Sequence, residues 1–417
     1  MNIWRWGTAG LAICCTALVV TAVAALLGGQ PTLASLGVLY VAPGGDCGGL
    51  SPCYAALQDA VDDAQSGDEI HIAAGHYTDI HQRGGVTQTA YISKSLTVRG
   101  GYTTTNWSTS YPITQPTTLD AGRQGRVLYI AGEVSPTIEG LHITGGDAQG
   151  LGGHWPPFPD GGGGVYVLVA DAVLRDNYLF DNSADRGGAI YLASSGATLE
   201  GNAIVSNSAL YAGGLWLSDS PALLRGNTIS GNQPGGVWLF QSGSATLIQN
   251  TISRNPGNGA DIVWSNGVLV GGNTFTGNNG RGLATNGGIL TIERNTFADN
   301  TGGGILVWGG KATLYGNAIL SNSAATGAGV YVEYYASALL INNMIADNHA
   351  TGAGGGVSVD YSSARLVHNT VAGNTGGKGF GICVDGWGAN YSSVWLTNTI
   401  IAGHTVGITV TGHGTAT

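Results

Sequence analysis

Residues 198–207 read TLEGNAIVSN, and the phrase returns as LLRGNTISGN at 223–232, TLIQNTISRN at 246–255, TLYGNAILSN at 313–322 and RLVHNTVAGN at 365–374. Each copy puts an apolar residue three positions before its first Asn and another two positions after it. That alternation is what a half-buried strand requires. The first Asn falls at 177, 202, 227, 250, 273, 295, 317, 343, 369 and 398, and a second follows five residues later as far as Asn374, failing where Gly403 fills the slot. Self-similarity at intervals of 22 to 29 residues is the signature of a solenoid, whose repeats bury their apolar side only against their neighbours.

This interval suits a coil of three short strands, each stacked on its equivalent in the next coil at about 4.8 Å. Stacking turns sequence spacing into spatial columns. Leu174, Leu199, Leu224 and Leu247 begin one inward column, and Leu179, Ile204, Ile229, Ile252, Phe275 and Phe297 lead a second that runs on to Ile400. Identical Asn residues in register are expected to form hydrogen-bonded ladders where the chain turns. The repeat has no helical half and carries a further strand, as in GGAIYL, GGLWL and AGVYV, which excludes a leucine-rich horseshoe. The expected fold is an all-β parallel β-helix of three-strand coils.

Working outward from the repeats, less regular coils such as EIHIAAG, SLTVRGGY and PTIEGLHITGG extend the solenoid back to residue 67. Ahead of them, Ser51 and Pro52 are expected to start a helix whose apolar positions Tyr54, Leu57, Val61 and Ala64 share one face, with Gly67 ending it. Such a helix would cap the open edge of the first coil. Cys47 and Cys53, six apart in a Gly-rich loop, are expected to form a local disulfide, leaving Cys383 as a packed thiol. Residues 37–66 are thus the disulfide loop and capping helix, and 67–417 the β-helix. Its last strand, GITVTG, is followed only by HGTAT, which reads as an unfinished coil. Residues 1–36 contain the apolar run Leu11 to Leu27 behind Arg5, a signal peptide with a small-residue cleavage site after Ala34, or a membrane anchor if it is retained.

Composition agrees with export. Charged residues make up 10% of the chain, and 25 acidic side chains against 15 basic ones give a net charge of -10. Lys occurs only at 94, 311 and 378. A nucleic-acid partner is excluded on that balance, and a secreted or cell-surface location is expected.

By its Asn turns, strand columns and coil length, the chain over 67–417 resembles the pectate-lyase-like right-handed β-helix superfamily. An extracellular polysaccharide is the expected partner on the strength of the columns described below; the resemblance itself implies the right-handed β-helix fold alone. It implies no catalytic residue. The hydrolases of this fold resemble one another through NTD, a paired Asp, GHG and RIK; only Gly412, His413 and Gly414 match, and the pair Asp62 and Asp63 belongs to the expected helix. The lyases share an RxPxxR-like motif that does not occur.

Columns point to two candidate sites. Aligned by its second strand, each coil offers an outward middle position that reads Tyr166, Tyr191, Trp216, Trp238, Val263, Ala284, Leu306 and Tyr331. The four leading aromatics either stack on one another or bind sugar rings. Two positions further on, Glu333, Asp360 and Asp385 form an acidic column flanked by Trp308, Tyr334, Tyr335, Tyr361 and Trp387. This column suits calcium, proton transfer or plain solvation. Arg365 and Lys378 are the nearest expected cations. Arg175, Glu200 and Arg225 alternate in charge on another strand, a structural pattern. A noncatalytic polysaccharide binder or structural protein is therefore the leading reading, ahead of a polysaccharide lyase or glycoside hydrolase, and of an adhesin suggested by the likeness of GGAIY to polymorphic outer-membrane protein repeats.

Overall fold

The computed structural model describes residues 36–152, 160–386 and 391–417. The expected leader therefore lies outside the described residues, Leu36 excepted. From Gly37 onward the chain winds into a right-handed parallel β-solenoid of about 13 turns. Among the described residues three sheets of 16, 13 and 14 strands run along it, with a separate side sheet of 3 strands. One coil shows the plan: Thr198–Glu200 lies in the first sheet, Ala203–Val205 in the second and Leu215–Ser218 in the third. Registers carry Leu199 onto Leu224 and Leu247, and Ile204 onto Ile229, Ile252 and Phe275. All of these side chains are fully buried in one continuous core.

Corners, more than strands, explain the sequence. Between the first and second sheets one residue per coil adopts the left-handed conformation, as at Asp176, Gly201, Gly226, Gln249, Gly272 and Arg294, with φ from 52° to 65°. A side chain there costs roughly 1–2 kcal/mol. The Asn that follows offsets it. Asn202 donates from Nδ2 to Asn227 Oδ1 at 3.0 Å and to the Leu174 carbonyl at 2.8 Å, and its own Oδ1 accepts from the Asn177 amide N–H at 3.1 Å. The pattern repeats through Asn369, and a second ladder from Asn182 to Asn374 turns the next corner in the same way. Buried amides thus meet their partners inside the protein, as burial demands.

The last coil departs from the expected pattern by one residue. Thr370 pairs with Ile400 and Val371 with Ile401, so Asn398 occupies the left-handed slot (φ 46°) and Thr399 takes the ladder position, its Oγ1 donating to Leu366 O at 3.2 Å. Ile401, not Ile400, continues the inward column; Ile400 is exposed. His404 replaces the second Asn, its Nε2 lying 3.4 Å from Asn374 Nδ2. A further strand, Gly414–Ala416, follows Ile408–Gly412 and pairs with Ser392–Thr397 in the first sheet.

A third ladder was not foreseen. Ser195, Ser220, Ser242 and Ser265 line the corner after the third sheet, each backbone N–H donating to the next Oγ at 3.0 to 3.1 Å. The Gly column of the GG pairs has an equally direct cause: a Cβ on Gly259 would lie 2.6 Å from the Gly282 carbonyl.

At the N-terminal end the helix is shorter than expected. Residues Cys53–Tyr54 are a strand, because they add to Val38–Val41 in the first sheet, and the helix spans Leu57–Asp63. Leu57, Ala60 and Val61 join the solenoid core. Lys94 Nζ donates to the Val61, Asp62 and Ala64 carbonyls at 2.9, 2.8 and 2.6 Å, satisfying the end of the helix. Cys47 and Cys53 are joined in a disulfide, with Cα atoms 5.9 Å apart.

Candidate functional site: the third sheet

The third sheet presents two outward columns, and its register fixes who stands in each. In the middle column Tyr91, Tyr129, Tyr166, Tyr191, Trp216 and Trp238 follow one another in adjacent coils. The aromatic run is longer than the sequence pattern showed. The next place belongs to Asp261, not Val263, and Ala284, Leu306, Tyr331, Ser358, Cys383 and Thr409 continue it. Val263 falls two residues on, opposite Phe240.

These rings spend their faces on each other. Tyr129 and Tyr166, Tyr166 and Tyr191, and Trp216 and Trp238 are each stacked with centroids 5.2 Å apart and planes within 9° of parallel. Tyr166, Tyr191 and Trp216 are buried. Arg126 lies over Tyr166 at 4.8 Å, and its Nε donates to Gly161 O at 2.9 Å while its terminal nitrogens reach the Leu151 and Gly152 carbonyls. The guanidinium thus ties a loop above the rings, and burial lowers its pKa. Of that loop, residues 153–159 lie outside the described residues. Arg186 covers Trp216 at 4.6 Å and Tyr211 at 5.4 Å. Such cation–π contacts contribute about 0.5–2 kcal/mol each.

The second outward column reads Phe240, Val263, Asn286, Trp308, Glu333, Asp360, Asp385 and Thr411. The register therefore brings the three acids side by side. Asp360 has its pKa raised, by burial first and then by Asp385 and Glu333. Thr411 Oγ1 donates to Asp385 Oδ1 at 2.7 Å. Among the described residues no group of three or more His, Cys, Asp or Glu side chains could hold a metal ion. The acids form a row, not a cage.

Of the expected cations, Lys378 ends a strand of the side sheet and its charge acts on the Cys383 thiol beside the row; a further cation is Arg281, which the sequence pattern did not single out. Its guanidinium stands 5.5 Å from the Tyr331 ring, with N–H groups 3.4 Å from the Gly327 and Thr326 carbonyls, and burial brings its pKa down to about 10. Arg365, expected nearby, sits on the first sheet, paired with Leu339 and Trp395. Tyr331 OH lies 3.5 Å from Asp360 Oδ2, and its pKa is pushed up by burial and then by the carboxylates of Glu333 and Asp360. Cys383 is buried, its thiol pushed up by burial and by Asp385 and Asp360.

Aromatic rings open to solvent lie at the end of this column, at Trp308, and along the corner after it, at Trp264, Tyr334 and Tyr335. Trp264, Trp308, Tyr334 and Tyr335 are 58, 42, 57 and 66% exposed. Tyr334 stands edge-on to Trp308 at 5.8 Å and to Tyr335 at 5.4 Å. Trp387, expected to flank the acids, lies outside the described residues.

The family of right-handed β-helix regions matches residues 112–275, 188–344 and 265–417, more than half of the chain in all, and the chain belongs to that family. No curated protein matches it in sequence. Among solved structures, the periplasmic alginate epimerase AlgG is 13% identical, with 83% of this chain and 83% of that chain covered and a TM-score of 0.47. The A-module of the mannuronan C-5 epimerase AlgE4 from Azotobacter vinelandii is 13% identical, with coverages of 86% and 93% and a TM-score of 0.46. The Dettilon tailspike protein is 14% identical, with coverages of 82% and 62% and a TM-score of 0.43. These likenesses concern the winding of the chain.

Proposed function

We propose that this chain is an exported, noncatalytic β-helix that binds extracellular polysaccharide along the third sheet. The observation that carries the reading is the row of open rings, Trp264, Trp308, Tyr334 and Tyr335, beside the carboxylates of Glu333, Asp360 and Asp385. Rings offer faces to the apolar side of a sugar, and carboxylates accept from its hydroxyls. The ladder from Tyr166 to Trp238 serves mainly as the rigid support for this face. With acids in the row and a net charge of -10, a neutral glycan fits better than a polyuronate.

Binding is favoured over turnover by the chemistry at Tyr331. A proton-abstracting phenolate needs a depressed pKa, and here burial and two carboxylates raise it. The neighbouring guanidinium of Arg281 is directed to backbone carbonyls. Export is supported by the disulfide, which persists in oxidising compartments, and the helix Leu57–Asp63 serves as the cover of the first coil.

Glycan-array binding and a turnover assay on the same polysaccharides test the reading. Neutral glycans are expected to bind, with Trp308→Ala and Tyr335→Ala each weakening binding about tenfold. New reducing or unsaturated ends would overturn the noncatalytic part, and failure to bind any neutral glycan would overturn the binding part.

A further inference from the structure

The aromatic ladder stops at Trp238, and the way it stops is informative. Trp216 covers one face of this indole. The next residue in the column is the short side chain of Asp261, and among the described residues no ring stacks on the other face. Tyr211 stands edge-on to the indole, inclined at 68° and 6.3 Å away. A cavity of about 440 Å³ opens here, lined by Leu210, Tyr211, Pro234, Trp238, Asn258 and Asp261.

Asp261 is held by the neutral amide of Asn258, whose Nδ2 donates to Oδ1 at 2.8 Å. Among the described residues no Lys, Arg or His forms an ion pair with it. A half-buried carboxylate without a countercharge loses part of its hydration uncompensated, and this desolvation pushes its pKa up to about 6. Elsewhere in the same column the chain supplies cations of its own: Arg126 over Tyr166, Arg186 over Trp216 and Arg281 over Tyr331.

We infer that the recess formed by Trp238, Tyr211 and Asp261 is a binding site for an organic ammonium group. Two aromatic walls inclined at 68°, one of them also faced by Arg186, and a carboxylate without an ion pair are parts from which ammonium recognition is built. The ligand's cation stands where the rest of the column uses an arginine. This assignment is independent of polysaccharide binding along the later coils, because none of its three residues belongs to the open ring row or to the acidic row.

Calorimetric titration of the intact protein with choline, with glucosamine and with 3,3-dimethylbutan-1-ol tests it. The alcohol has the shape of choline without its charge. Choline or glucosamine is expected to bind at least about tenfold more tightly than the alcohol, and the stronger of the two names the source as a quaternary headgroup or an amino sugar. Asp261→Asn and Tyr211→Ala are each expected to weaken that binding about tenfold, with circular dichroism unchanged. Tyr211 is half exposed, so its removal leaves the fold in place if Asp261→Asn does not. Equal binding of the alcohol, binding that survives both substitutions, or no binding of either amine would overturn the assignment. Loss of glycan binding by Trp308→Ala with choline binding intact would separate this site from the polysaccharide face.

Discussion

Asn227 Nδ2 donates to Asn250 Oδ1 at 3.0 Å, and the Asn227 backbone N–H donates to the same oxygen at 2.9 Å. One side-chain oxygen therefore holds two buried donors of the preceding coil. Asn250→Leu leaves the Asn227 backbone N–H and one Nδ2 hydrogen without an acceptor, the other hydrogen still meeting Leu199 O at 2.9 Å, and leaves Leu224 O without the 2.9 Å donor it now has. At about 1–3 kcal/mol for each orphaned group, the loss should exceed about 3 kcal/mol in urea unfolding. Thr251→Ala, one residue on and exposed, should change stability by less than about 0.5 kcal/mol. Equal effects would remove the ladder as a source of stability.

Two glycines should behave oppositely. A Cβ on Gly259 would meet Gly282 O at 2.6 Å, whereas on Gly271 its nearest neighbour is 3.6 Å away, and neither glycine has a positive φ. Gly259→Ala is expected to cost about 2 kcal/mol or more, since a backbone carbonyl must move. Gly271→Ala should be neutral or stabilising by up to about 1 kcal/mol, through the unfolded chain. Thermal melts of the two variants decide.

Asp261 gives the protein a pH dependence of defined sign. Its folded pKa of about 6 lies above the ordinary 3.8, so the folded state holds the proton more tightly and stability falls as pH rises from about 4 to about 6. The shift corresponds to about 3 kcal/mol. Asp261→Asn should therefore be more stable than the native protein at pH 7, by on the order of 1–3 kcal/mol, with the difference vanishing near pH 4. A difference constant across that range would mean that the carboxylate is not the cause.

Tyr191 tests the role of the ring ladder. It is buried and stacked on Tyr166 at 5.2 Å. Tyr191→Ala is expected to cost about 3 kcal/mol while leaving binding of neutral glycans within about twofold of native, since the sugar-binding rings lie elsewhere. Selective loss of glycan binding without loss of stability would transfer the binding role to the ladder.

Much of this architecture was legible in advance because corners repeat more strictly than loops. The Asn ladders and the two inward columns followed from spacing alone up to Asn369. At the last coil the better guide was the apolar residue three places before the ladder: Leu396 points to Thr399, whereas the letter Asn at 398 misled. The same holds for Asp261. It follows Asn255 by six residues, as Trp238 follows Asn232, and counting from the corner places it correctly where matching apolar letters chose Val263. The acids Glu333, Asp360 and Asp385 were aligned correctly because their strands begin alike. Arg281 and the covering Arg126 could not be found this way. Their heads reach across coils to rings and carbonyls, and a column says where a Cα stands, not how far a long side chain travels.

The asparagine ladders also have a direction. In every rung from Asn177 to Asn369 the Nδ2 of one coil donates to the Oδ1 of the next, and the row from Asn182 to Asn374 does the same. Every amide dipole in the two rows thus points the same way along the axis, each polarising its neighbour. Along the ladder rungs the interior is electrically polar: one Nδ2 hydrogen of each amide looks toward the later coil and each amide oxygen toward the earlier one, while the second hydrogen meets a backbone carbonyl of the coil before. A rung turned the other way would set donor against donor on one side and acceptor against acceptor on the other, so each row admits a single sense of the amide throughout its length.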